Sequence, residues 1–422
     1  MKKYLILIAA TVLLNACSSN DEPEPPVDPE RTVLIYMAGE NNLSEFVSKD
    51  LKEMKEGSKS LDNRHNLIVY VDQANSIPPY FARIKDGKIV DSVSVKESLT
   101  ADPAVLEEAL RYTRTTYPAK SYGLVLWGHG SGWLVSNDSI VYAKSRAYGG
   151  DMGNNSPSRA GNYWMNIPSM SRAIANAMGG EKLTFVFGDC CNFNCIETDY
   201  ELRNVADYVI GSPAEIPDPG APYHLMVPNL FNTSQNFYQS IIDCYYNYYL
   251  EDFKARPEYY WNIKTGDLAG YSQPLAAVKT AALEELAQAT ARLLSTIPDK
   301  LSPEGVLDLV NVTYWGYDRS SSKRFAYDIC YTLKRNTAEA DYKTWESVFK
   351  KAVPYSTYSA HWLTNSSQLR TDMLHFDATA DDCGVVSMFF PNQIYRSSTP
   401  NWNTAIQKFQ WNSVIRWEQY GW

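Results

Sequence analysis

Short apolar runs alternate with amphipathic stretches through the first half of the chain. Thr32 to Met37 reads Thr-Val-Leu-Ile-Tyr-Met, apolar on both faces, as in a buried strand of a parallel sheet. Leu67 to Val71, Leu124 to Trp127, Leu183 to Phe187 and Tyr208 to Gly211 are runs of the same kind. Between them the period lengthens. Ser44 as N-cap predicts a helix with Val47, Leu51 and Met54 on one face and Gly57 as its stop. Asp102-Pro103 predicts a second, as N-cap and first-turn proline, with Leu106, Ala109, Leu110 and Thr113 inward. Ile167 to Met178 predicts a third, with Met170, Ile174 and Ala177 inward. The mixed run Asn194 to Ala206 predicts a fourth, with Ile196, Leu202 and Val205 on its apolar side. Strand and helix in alternation predict a mostly parallel sheet covered on both faces. Past about residue 265 the pattern turns helical, first over Leu275 to Ile297 and again over Asp328 to Leu333.

The two ends of the first 30 residues differ from this pattern. Lys2 and Lys3 precede an apolar run, Tyr4 to Leu14, that is short for a bilayer span and suits a signal peptide. It closes with Leu14-Asn-Ala-Cys17, which resembles a bacterial lipobox with Cys17 as the lipidated residue; an ordinary secretory signal is the other reading. Residues 18–30 are acidic and proline-rich, the composition of a disordered tether. Residues 1–17 are therefore taken as signal, 18–30 as tether, 31–264 as core and 265–422 as a mainly helical part. The expected location is the bacterial cell envelope, anchored by lipid to the outer membrane, with acidic residues after Cys17 resembling a surface-export signal.

Composition narrows the partners. With 45% hydrophobic and 21% charged residues, 422 residues suffice for one large or two moderate globular domains. A net charge of −9 argues against a nucleic-acid partner. Tyrosines are many and cluster at Tyr245-Tyr-Asn-Tyr-Tyr249, which reads as packing before it reads as a binding platform. Five histidines leave few candidates for proton transfer or metal binding. Cys190, Cys191 and Cys195 lack a second ligand pair at zinc spacing, so no metal site is expected. The cysteine count suggests no disulfide framework.

Two strand ends hold the candidate chemistry. Tyr122-Gly-Leu-Val-Leu-Trp-Gly-His-Gly-Ser-Gly-Trp133 runs into a glycine-rich turn with His129 at its tip. Phe185-Val-Phe-Gly-Asp-Cys-Cys-Asn-Phe-Asn-Cys195 ends a strand at Asp189 to Cys191. Ligand crevices in open α/β sheets lie outside the carboxyl ends of strands, so a parallel sheet brings both tips to one edge. A cysteine there, at the start of the following helix, is expected to have a lowered pKa.

The His129-Gly130 and Asp189-Cys190-Cys191 pair resembles the clostripain family of cysteine peptidases, within the caspase-like group. Thr32 to Leu43, Tyr148-Gly-Gly-Asp151, Ser212 to Gly220 and the late strand Gly384 to Pro391 resemble further family segments. The resemblance implies an α/β caspase-like αβα sandwich with a mostly parallel central sheet and a largely helical C-terminal part. It implies an endopeptidase with Cys191 as nucleophile and His129 as acid/base, and Gly130 is chosen as the oxyanion donor. Asp189 matches the family's S1 floor, which implies protein or peptide substrates with Arg, or else Lys, at P1; a helix cap is its other role. Cys190 stands where the family usually has a small residue, which leaves it as a competing nucleophile. The family also cuts itself between His and Cys, which points to Lys144 and Arg146 in the polar stretch 134–165; an unprocessed loop is the alternative. Some relatives use calcium, but no EF-hand spacing is present, so no cofactor is expected beyond that family inference. The rival to the enzyme is a catalytically silent surface lipoprotein of the same fold that binds protein or glycan.

Overall fold

The computed structural model describes residues 29–74, 77–134, 148–152, 163–256, 269–309, 312–315, 325–359, 383–397 and 401–422. Cys17, Lys144 and Arg146 lie outside them.

Five parallel strands form the middle of a nine-stranded sheet. They are β1 (Arg31–Gly39), β2 (His65–Gln73), β5 (Ser121–Trp127), β9 (Leu183–Asp189) and β10 (Ala206–Gly211). Their order across the sheet is β10-β9-β5-β1-β2. Antiparallel strands extend both edges: β3 (Tyr80–Lys85) and β4 (Lys88–Ser94) beyond β2, and β11 (Leu275–Lys279) and β13 (Tyr355–Thr357) beyond β10. β6 (His129–Gly130), β7 (Tyr148–Asp151) and β8 (Tyr163–Met165) make a small separate sheet, and β12 (Tyr327–Asp328) pairs with β14 (Ser387–Met388). The resulting mixed α/β fold has the parallel centre that the sequence pattern predicts.

Strand alternation separates two hydrophobic cores. Val33, Ile35, Met37, Leu67, Val69 and Phe187 face one side, under α1 (Ser44–Ser58), α5 (Tyr223–Leu230) and α6 (Phe237–Ala255). Leu34, Tyr36, Ile68, Leu124, Leu126 and Val186 face the other. They lie under α2 (Pro103–Thr116), α3 (Ile167–Met178) and α7 (Leu283–Leu294). Successive strand residues point to opposite faces, so continuous apolar runs serve both layers. The Tyr245 and Tyr249 rings are fully within this packing.

Several local expectations change. Asp102 does cap α2, accepting from the Ala104 N–H at 2.9 Å. Ser44 does not cap α1: its hydroxyl accepts from the Ala74 N–H, while Asn41 Oδ1 receives the Leu43 N–H. Leu275 to Lys279 is a strand and not the start of the helix, because its Leu-Ala-Ala-Val run pairs on both sides, with β10 and β13. The helix after Cys191 is α4 (Ile196–Glu201), much shorter than expected. Of the late apolar run, only Ser387–Met388 is strand.

Candidate active site

β5 and β9 lie side by side in parallel, with Trp127 in register with Asp189. Their carboxyl ends therefore release His129 and Cys191 at the same sheet edge. One cleft there is lined by His129, Asp189, Cys191, Ile216, Asp218 and Gly220, with Trp127 and Leu43 among its further walls. The structure thus brings together the three side chains singled out from sequence. His65 and His224 pair instead with Asp62 and Glu53. Another concavity, about 730 Å³, lies on α5 and α6. It contains Cys244 but no histidine, so it offers no thiol–imidazole pair.

Cys191 is half-buried and faces the cleft, whereas Cys190 is fully buried beside Gly130. Alternation of an extended backbone separates the two thiols. The Ile216 N–H points at Cys191 Sγ from 3.4 Å. Burial pushes the Cys191 thiol up, and the Glu215, Asp218 and Asp189 carboxylates add to that against the Ile216 N–H. This reverses the expected lowering. Asn192 turns the chain through a left-handed conformation (φ 54°), and α4 begins only at Ile196. Cys191 therefore sits away from the helix end.

His129 pairs with β7: His129 opposes Gly149 and Gly130 opposes Tyr148. Its Nε2 lies 2.8 Å from Asn42 Oδ1. An amide oxygen can only accept, so this bond puts the proton on Nε2 and makes Nδ1 the basic nitrogen. Asn41 holds the turn that carries Asn42, donating to Ala38 O and Gly150 O, both at 2.9 Å. Gly130 packs on the Cys191 carbonyl: a Cβ there would come within 2.6 Å of that oxygen. Only glycine allows this approach between the two tips.

Asp189 is 2% exposed. Its Oδ2 accepts from the Tyr223 hydroxyl at 2.8 Å and the Ala221 N–H at 3.1 Å. Its Oδ1 has no hydrogen-bond partner. It does not cap α4. Burial raises its pKa to about 6, with the Ala221 N–H and the Tyr223 and Tyr245 hydroxyls opposing. Gly220 crosses this carboxylate in a left-handed conformation (φ +64°), and Tyr249 donates to its carbonyl at 2.6 Å. The proline-rich loop 212–220 thus walls the cleft.

Sequence reading missed Asn42 and Asp218. Asn42 had no periodic signal, and Asp218 sat inside Ser212 to Gly220, a stretch noted only for its family resemblance. Both become visible when the turns after β1 and β10 close on the same edge.

A second group of acids lies near the cleft. Glu40, Asp72 and Asp151 each place an oxygen within 4.8 Å of the other two, and all are buried. Burial raises Asp72 to about 9, with Asp151, Glu40 and Glu97 adding to it. This oxygen-only set fits a hard cation. The described cysteines are free thiols.

A thiol and an imidazole at neighbouring strand ends, lining one cleft with a buried carboxylate, are the groups that acyl transfer by cysteine requires. Comparison with known proteins agrees with that class. Residues 35–418 match the model of the clostripain family. The chain is 29% identical to clostripain of Hathewaya histolytica over 127 residues, which is 24% of this chain and 23% of that protein's length. A secreted C11 cysteine protease from Bacteroides thetaiotaomicron, solved with an irreversible peptide inhibitor, superposes with a TM-score of 0.72. It is 27% identical, over 92% of this chain and 99% of that one. An inactive zymogen C11 protease from Parabacteroides distasonis shares the fold at TM-score 0.68 and 23% identity, over 93% of this chain and 99% of that one. The chain belongs to the clostripain family of cysteine peptidases. No helix among the described residues is long and apolar enough to cross a membrane.

Proposed function

We propose that this protein is a cysteine endopeptidase that cleaves after Arg, and after Lys less well. The observation that carries this is the Asp189 oxygen left without a partner in the wall of the cleft that also holds Cys191 and His129. A buried carboxylate oxygen of that kind is matched by a guanidinium, which reaches it by a charge-assisted bond. An ammonium reaches it with less geometric fit.

In this reading His129 Nδ1 takes the Cys191 thiol proton as the sulfur attacks the carbonyl carbon after the basic residue. The Gly130 N–H stabilises the oxyanion. His129 gives a proton to the leaving amine as the C–N bond breaks, leaving a thioester on Cys191. It then takes a proton from the water that releases the acid. Asn42 positions the ring through Nε2. A basic P1 side chain also offsets the carboxylates that hold the thiol neutral, so substrate itself favours the thiolate.

Two further elements of the proposal rest on sequence. Leu14-Asn-Ala-Cys17 supports lipidation at Cys17 and a place in the cell envelope. Lys144 and Arg146 supply basic residues for self-cleavage in the 134–165 stretch.

A fluorogenic peptide panel with Arg, Lys, Asp and Leu at P1 tests the reading. Cleavage after Arg and Lys is expected for wild type and Cys190→Ala and is abolished by Cys191→Ala. Loss with Cys190→Ala and survival with Cys191→Ala would reverse the assignment. No cleavage of any peptide, even after trypsin nicking between residues 134 and 165, would favour the silent binding protein.

A further inference from the structure

Behind the Asp189 carboxylate lies a second buried acid. Asp50 sits on the inner face of α1 with Val47, Leu51 and Met54, and is fully buried. That face covers the same layer of the sheet as Trp127 and Phe187. Asp189 stands two residues past Phe187 on β9, in register with Trp127, so strand alternation turns its side chain to this layer too. Asp50 Oδ2 accepts from the Trp127 indole N–H at 2.7 Å, and Trp127 is part of the wall of the Asp189 cleft. Asp50 Oδ1 has no hydrogen-bond partner, and neither has Asp189 Oδ1. Two acids on one layer thus each keep an oxygen without a donor.

Such a pair resists carrying two charges. Burial pushes the Asp50 carboxyl up to about 8, and the Asp189 and Glu53 carboxylates add to that, while the Trp127 N–H and the Lys49 ammonium oppose it. Tyr223 of α5 donates to Asp189 and lies in the field of both acids and of Tyr245. His224, also on α5, pairs with Glu53. At this end of the layer β1 and β2 present Met37, Val69 and Val71, and β3 presents Tyr80. Asp189 is raised only to about 6, so it loses its proton first. At pH 7 the pair therefore holds one negative charge, on Asp189, and one proton, on Asp50.

A cation entering the cleft favours the ionised form of every acid it can reach. Asp189 is already ionised, which leaves Asp50 to respond. We propose that Asp50 is a positioning residue of the P1 pocket: it fixes the Trp127 indole in the wall and gives up its proton to solvent when a cationic side chain enters. The inference rests on the basic-P1 reading and deepens it. The Asp50 O–H bond breaks, the proton passes to the buffer, and no other bond changes. A neutral side chain of the same shape draws no proton.

The test uses the full chain carrying Cys191→Ala, so that nothing is cut. It is titrated calorimetrically with acetyl-Ala-Ala-Arg-amide, and with the same peptide carrying citrulline, which keeps the shape and lacks the charge. Repeating each titration at pH 7 in buffers of different ionisation heat counts the protons released. The arginine peptide should bind more tightly than the citrulline peptide and release roughly 0.4–0.7 proton; the citrulline peptide should release none. Between pH 6.5 and 8.5 the Kd of the arginine peptide should fall about 5- to 10-fold, above the step set by Asp189. Asp50→Asn in this background keeps the shape of the neutral acid and an acceptor for Trp127. Above pH 8 it should melt no lower than its parent. It should release about 0.1 proton, left from Asp189, and hold its Kd within about twofold over the same range. A parent that prefers arginine yet releases no proton overturns the proposal and leaves the basic-P1 reading standing. So does an Asp50→Asn chain that releases as much as its parent. No preference for arginine over citrulline overturns both.

Discussion

In the proposed peptidase, one side chain, Asp189, carries both specificity and pH dependence. Its pKa is raised to about 6 because burial outweighs the Ala221 and Tyr223 donors. Only the carboxylate attracts a guanidinium. Since the shift is upward, the ionised form is complete well above pH 6 and fades as pH falls through it. In the proposed peptidase, kcat/KM for Arg substrates should therefore drop on the acid side of about pH 6, since that ratio reports the free enzyme. Asp189→Asn should remove this dependence on the Arg side chain. It should also cost about 10- to 100-fold in kcat/KM for Arg, the equivalent of a lost charge-assisted bond of about 1.5–3 kcal/mol. Rates for Arg and Leu peptides, measured in both proteins from about pH 4.5 to 8, provide the check. An unchanged Arg-to-Leu ratio in the variant would remove Asp189 from the specificity pocket.

Among the elements, the end of β9 is the most constrained. A Cβ on Gly188 would stand 2.2 Å from Phe193 Cγ, and one on Gly211 of β10 would stand 3.1 Å from Phe193 Cδ1. The Phe193 ring therefore lies across both strand ends, under the turn that presents Cys191. Gly188→Ala should cost about 1–3 kcal/mol by overpacking. It should also lower kcat by shifting the turn. Phe193→Leu in that background should recover part of the lost Tm; a double variant less stable than the single would contradict this account. The parallel strands and α3 were legible because each buries a stripe or both faces, and periodicity reports burial. Other elements depend on pairing that no local pattern shows. Leu275 to Lys279 carries alanines compatible with helix, and its two neighbours decide for strand. The β3–β4 hairpin escaped notice because every residue of β4 is exposed, although Asp86-Gly87 at its turn was a usable signal. The helix expected over Asn194 to Ala206 spans only Ile196–Glu201, because Ala206 already enters β10, where pairing with β9 decides for strand.

Across the whole molecule, both strand tips lean on the far end of the chain. Trp133, shortly after His129, is 1% exposed. Its ring packs 4.7 Å from Phe389, 6.2 Å from Phe409 and 6.3 Å from Trp402. The segment after Cys191 is tied to the same region. Asn194 O accepts from the Ser387 N–H at 3.2 Å, and Glu197 Oε1 from the Phe389 N–H at 2.9 Å. Glu201 accepts from the Gln410 N–H at 3.0 Å. Residues 387–389 and 402–410 therefore brace the two loops that carry His129 and Cys191, while β11 and β13 extend the sheet itself. Stability and the proposed catalysis should then fail together. Trp133→Ala should cost about 3–5 kcal/mol, as for a large aromatic removed from a core. Unfolding should remain a single transition at lower temperature, with kcat reduced although no cleft side chain has changed. Combined with Phe389→Ala, the loss should be less than additive, because the two rings share one contact. Additive losses, or a separate early transition that leaves peptidase activity intact, would mean that the site stands on the parallel sheet alone.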